Sequence, residues 1–169
     1  MTIDVSLKPY EILGVAIRSE MDAAAFYNSL QTRVKNEVLL QKLKFLALEE
    51  ERHKALLERL FADRFSERKL VIPEPAVLPE KKAAVDRPTS VLDLFKIAMR
   101  KEKQAEEFYK ESRKRIEDAQ SQKVLDYLSR VERSHYALLK SEIDLLQKFP
   151  DYYNVEDFKG EQDLFHIGP

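Results

Sequence analysis

Glu20–Tyr27 reads EMDAAAFY, and 82 residues later Glu102–Tyr109 reads EKQAEEFY; Glu50–His53 reads EERH, and Glu132–His135 at the same offset reads ERSH. Extending the comparison outward, fourteen residues between Ala16 and Leu57 recur without a gap between Ala98 and Leu139. Two copies of one unit are too few for a solenoid, so the pattern predicts a duplicated helical hairpin. Within the first copy, Leu13, Ala16, Glu20, Ala23, Tyr27, Leu30 and Val34 alternate steps of three and four, as do Leu39, Leu43, Leu46, Glu50, His53, Leu57 and Leu60. Each run is the strip that one helix turns toward a partner. The second copy repeats both strips, from Phe95 to Ile116 and from Ser121 to Leu139. Asn36 and Asp118 occupy equivalent positions between the strips, and both residue types cap helix N-termini well, which places the two turns there. The expected fold is all-α, a four-helix bundle of two repeated hairpins.

The expected organisation is a bundle over residues 1–148, with hairpins at 8–64 and 89–148, a connection at 65–88 and a tail at 149–169. The connection contains Pro73, Pro75, Pro79 and Pro88, so no helix runs through it. An extended chain of that length reaches roughly 75 Å, whereas a helix of the expected length is only ~40 Å long. The connection can therefore cross the whole bundle. The tail carries Tyr152, Tyr153, Phe158 and Phe165, which argue that it packs on this bundle or on a second subunit.

The four seam glutamates Glu20, Glu50, Glu102 and Glu132 stand where leucine belongs. One buried carboxylate alone costs several kcal/mol, and four together repel. The spacings bring them to one height. Glu20 precedes the Asn36 turn by 16 residues, and Glu50 and His53 follow it by 14 and 17; the second copy has the same spacings about Asp118. Each hairpin thus delivers one Glu from its first helix and a Glu-x-x-His from its second, the i, i+3 spacing putting both side chains on one face. Four carboxylates and two neutral imidazoles carry a charge that two divalent ions cancel. Glu20, Glu50, His53, Glu102, Glu132 and His135 are the candidate metal ligands, and an oxygen-rich set with one imidazole per ion suits iron or manganese better than structural zinc. The spacing leaves open whether Glu50 and Glu132, or Glu20 and Glu102, bridge the ions. Tyr27 and Tyr109, two turns beyond Glu20 and Glu102, are candidates for hydrogen bonding to a ligating carboxylate or for redox activity. Glu49, Glu51, Glu106 and Glu107 read as solvated helix faces, and His166 as a surface histidine.

Composition narrows the chemistry. The chain has 169 residues, 35% of them charged, only three glycines, a formal net charge of −1 and no cysteine. Without cysteine there are no disulfides, thiolate nucleophiles, iron–sulfur clusters or Cys-ligated zinc. Interspersed charge gives no basic patch for nucleic acid, and no apolar run approaches the ~20 residues that cross a bilayer. Met1 to Lys8 lacks the apolar core of a signal peptide. The expectation is a cytoplasmic protein with neither nucleic acid nor membrane as partner.

The quoted motifs resemble those of the rubrerythrin family within the ferritin-like superfamily, over roughly residues 10 to 147. The resemblance implies a ferritin-like bundle with one long crossover, two iron ions cycling between Fe²⁺ and Fe³⁺ (manganese or zinc being possible substitutes), reaction with peroxide or dioxygen, and a homodimer. Rubrerythrins usually carry a C-terminal module with four cysteines that relays electrons; this chain has none, so a separate electron-donor protein is expected. They also carry a further glutamate three residues after the third-helix ligand, where this chain has Ala105; the resulting symmetric six-ligand set is more similar to that of bacterioferritin. The expected activity is reduction of hydrogen peroxide or dioxygen. The alternatives are iron binding or ferroxidation without turnover, and a structural bundle that pairs with other helices, which the seam glutamates oppose.

Overall fold

A computed structural model describes residues 7–74 and 90–149. Four helices follow in order: α1 (Pro9–Gln31), α2 (Glu37–Arg64), α3 (Val91–Lys114) and α4 (Ala119–Lys148). Among the described residues there is no strand.

The helix boundaries follow from local chemistry. Pro9 sits in the first turn of α1, where its missing N–H costs nothing, and the Lys8 N–H donates to the Glu11 carboxylate at 2.7 Å. The Asn36 side chain accepts from the Leu39 N–H at 3.1 Å, and Asp118 accepts from the Ser121 N–H at 2.7 Å. Both turns therefore fall where the sequence places them, with an otherwise orphaned donor satisfied at each helix start. Ser90 caps α3 by accepting from the Asp93 N–H at 3.1 Å.

α1 packs along α2, and α3 along α4, over most of their lengths, while contacts between the hairpins, α1 with α3 and α2 with α4, are sparse. The core divides into two apolar clusters. One holds Ile12, Leu13, Leu57, Leu60, Tyr109, Leu125 and Leu128; the other holds Tyr27, Leu30, Leu39, Leu43, Leu94, Phe95, Leu139 and Ile143. The first cluster thus takes the start of α1 and the end of α2, the second the start of α3 and the end of α4. The polar seam residues lie between them.

α2 ends in the first cluster at Phe61 and α3 begins in the second at Leu94. Residues 75–89, on which the expected crossover falls, lie outside the described residues, as does the tail beyond Phe149, with His166. The start of the connection is described. It runs against α1 at Gly14, where an added Cβ would lie 2.2 Å from the Val71 carbonyl oxygen, and the Arg18 Nε donates to the Pro73 carbonyl at 2.7 Å. No described helix is long and apolar enough to cross a membrane.

Candidate metal centre

Every seam residue proposed as a ligand is buried. Glu20, Glu50, His53, Glu102, Glu132 and His135 are 1–3% exposed. They come from all four helices and converge midway between the apolar clusters. The two imidazoles stack with ring centroids 5.6 Å apart and planes 18° from parallel.

The carboxylates divide into two kinds. Glu50 places Oε2 3.3 Å from His53 Nδ1 and Oε1 3.2 Å from His135 Nδ1. Glu132 does the same in reverse, with Oε1 3.0 Å from His53 Nδ1 and Oε2 3.6 Å from His135 Nδ1. Glu20 approaches only His53, at 3.2 Å, and Glu102 only His135, at 3.7 Å. Potential donor atoms therefore form two groups, each within 4.8 Å: Glu20, Glu50, His53 and Glu132; and Glu50, Glu102, Glu132 and His135. Glu50 and Glu132 belong to both groups, whereas Glu20 and Glu102 belong to one each.

The outer glutamates are held by tyrosines. Tyr27 donates its hydroxyl to Glu102 Oε1, and Tyr109 donates to Glu20 Oε1. Each tyrosine reaches the glutamate of the other hairpin rather than that of its own helix. One oxygen of each outer carboxylate is thus engaged, and Oε2 faces the histidine.

The electrostatics follow from crowding six ionisable groups into a buried space. Burial pushes the Glu20 and Glu102 carboxyls well above the ordinary range, an effect the neighbouring carboxylates reinforce. Burial acts the same way on Glu132 and Glu50, but the close approach of both histidines outweighs it, so Glu132 is held down to about 2 and Glu50 is also lowered. Burial disfavours the imidazolium, yet contacts with the surrounding carboxylates raise His53 and His135 to about 12. Burial among like charges thus favours protons on Glu20 and Glu102, and the surrounding carboxylates favour them on both imidazoles. Even so, Glu50 Oε1, Glu132 Oε1 and His135 Nδ1 are buried without a hydrogen-bond partner. Donor atoms that converge in a dry interior, some of them without a hydrogen-bond partner, suit a cation between them. Two divalent ions replacing four protons would keep the same net charge, so the donor set fits a pair of dications.

Sequence reasoning missed two buried acids. Glu106, expected on a solvated face, is 3% exposed; Lys103, at 2.9 Å, and Lys110 both bind and cover it. Glu142 is 6% exposed and meets Lys42 of α2 at 2.5 Å. Neither signal was available from the repeat, because Ala24 and Leu60 occupy the equivalent positions in the first hairpin.

Four long helices, each contributing an inward carboxylate and two of them a histidine as well, at one level, define a ferritin-like bundle with a dimetal carboxylate site. The rubrerythrin family model matches residues 11–143, and the chain belongs to that family. Among solved structures, a hypothetical protein from Pyrococcus furiosus is similar at 30% identity and a TM-score of 0.74, covering 86% of this chain and 94% of that one. KatB, a manganese catalase from Anabaena, shares the fold at 16% identity and a TM-score of 0.61, covering 100% of this chain and 83% of that one. Among curated proteins, none matches.

Proposed function

We propose that the chain is a di-iron oxidoreductase that reduces hydrogen peroxide or dioxygen with electrons from an external donor. The observation that carries the reading is the overlap of the two donor groups in Glu50 and Glu132, each of whose oxygens divide between the two histidines. In this reading Glu50 and Glu132 would be shared between the two ions, Glu20 with His53 would complete one ion's set, and Glu102 with His135 would complete the other's. An iron pair so held supplies two electrons, one per ion, which matches the two-electron, two-proton reduction of one peroxide to two waters.

The protein's own groups do the rest. The Tyr27 and Tyr109 hydroxyls are pushed well above the ordinary phenol range, first by burial and then by the charges of Glu102 and Glu20. They stay protonated and act as hydrogen-bond donors that fix the outer carboxylates. A cleft between α1 and α3 reaches Glu20, Glu50, Glu102 and Glu132 and gives a small oxidant and protons a way in. Elsewhere the apolar clusters on either side keep water out. A homodimer, a separate donor protein and a cytoplasmic location belong to the same reading, with neither nucleic acid nor membrane as partner.

One observation favours a second reading. Ala105 puts a methyl group where the resemblance leads one to expect a further carboxylate, leaving a six-ligand site suited to ferroxidation or iron binding without turnover. Loading Fe²⁺ anaerobically, adding peroxide and following ferric absorption in the near ultraviolet tests both. Sustained peroxide consumption with a reductant present supports the oxidoreductase. A single stoichiometric oxidation supports the ferroxidase, and absence of metal uptake contradicts both.

A further inference from the structure

The cleft between α1 and α3 is much larger than a two-atom oxidant needs. Its volume is about 300 Å³, room for roughly ten waters at ~30 Å³ each and comparable to the smaller ligand sites of proteins. The duplication explains why it exists. Ala23 of α1 and Ala105 of α3 occupy equivalent places, and both are only half-buried although both lie on a seam. Both line the cavity with no more than a methyl group, where longer side chains would fill it.

The walls are largely apolar, with Val15 and Phe108 beside the two alanines and Pro73, from the connection, closing one side. The connection is fixed there by the Arg18 Nε bond to the Pro73 carbonyl and by its approach to Gly14. Charge at the rim cancels, Arg18 and Lys101 against Asp22 and Glu74. At the floor, two dications would cancel the four glutamates. No net charge is left to select an ion, so the cavity favours a neutral molecule, and the Ser19 and Gln104 side chains at its edge can serve one hydroxyl.

We infer that the α1–α3 cavity is a binding site for a small neutral organic molecule with an apolar body and a single hydroxyl, such as a simple phenol, seated against the metal-binding carboxylates. This extends the dimetal reading by giving the site an organic ligand beside its oxidant. Recognition rests on burying the ring between Ala23, Ala105 and Phe108.

The test is titration of 4-fluorophenol into the full-length protein, read by fluorine NMR, first metal-free, then with Zn²⁺ and then with anaerobic Fe²⁺. Saturable one-site binding at millimolar concentration or tighter is expected, with amide shifts confined to Ser19, Ala23, Ala105, Phe108 and their neighbours. Ala105→Leu, and independently Ala23→Leu on the facing wall, should weaken it at least tenfold while circular dichroism and metal content stay unchanged. Absence of saturation, equal binding by both variants, or amide shifts elsewhere would overturn the inference, and the shift map decides the matter even if a leucine variant fails to fold. Because metal-free protein is scored first, phenol binding without metal uptake would sink the di-iron reading and spare the cavity; metal uptake without phenol binding would do the reverse.

Discussion

Raising the pH from about 5 to about 8 in the presence of a chelator should destabilise the metal-free protein, and the size of the effect follows from the two buried histidines. Each imidazole has its pKa raised from 6.5 to about 12 in the fold. A group raised in this way contributes stability that is fully present below the unfolded value and is lost as pH rises toward the folded one. Between pH 6.5 and 8 both remain protonated in the native state while the unfolded chain releases its protons. At 1.36 kcal/mol per pH unit per proton, two histidines lose about 4 kcal/mol over that interval. Glu20 and Glu102 are raised as well, so they act in the same direction from 4.5 upward. Glu132 and Glu50 are lowered, and their opposite contribution is complete by about pH 5. For a chain of this size, about 4 kcal/mol corresponds to a fall in melting temperature of roughly 10 °C. Circular dichroism melts across that range, with and without excess Zn²⁺, are the assay. Metal-loaded protein should gain stability relative to metal-free protein as pH rises, because dications then displace protons that no longer compete. A melting temperature of the chelated protein that is flat or rises between pH 5 and 8 would refute the reasoning.

Other outcomes follow from the same geometry. Glu50→Ala or Glu132→Ala should lose both ions, because each residue belongs to both donor groups, whereas Glu20→Ala should keep the ion beside His135; elemental analysis of purified variants distinguishes the cases. Tyr27→Phe and Tyr109→Phe each leave a buried carboxylate oxygen without its donor and should cost about 1–3 kcal/mol in denaturant titrations, with metal content retained. Gly14→Ala would drive a methyl group into the Val71 carbonyl and should cost about 1–3 kcal/mol, measured the same way. Leu13→Ala, in a fully buried position two turns before Glu20, should cost about 2–5 kcal/mol whether metal is present or absent.

The duplication made much of this legible. Fixed spacing from two cap residues put Glu20, Glu50 and His53 at one height, and a second copy removed the ambiguity of a single Glu-x-x-His in a glutamate-rich chain. Which glutamates approach both histidines was not legible, because spacing sets height along a helix and not the direction in which each carboxylate oxygen points. Glu106 and Glu142 escaped for a different reason. A heptad reading assigns each helix one buried strip, but a helix in a four-helix bundle meets two neighbours, and Lys103, Lys110 and Lys42 cover acids outside the strip. The cavity was also hidden, because spacing along a helix does not say how closely α1 and α3 approach, and the two hairpins touch only sparsely there.

The central claim is that two cations occupy the space shared by Glu50 and Glu132. Anomalous diffraction at the iron edge from protein crystallised after aerobic Fe²⁺ loading addresses it directly. The account predicts two peaks per chain, about 3.5–4 Å apart, one beside His53 and one beside His135, with Glu50 and Glu132 spanning both. A single peak, peaks remote from these six side chains, or none at all would contradict it.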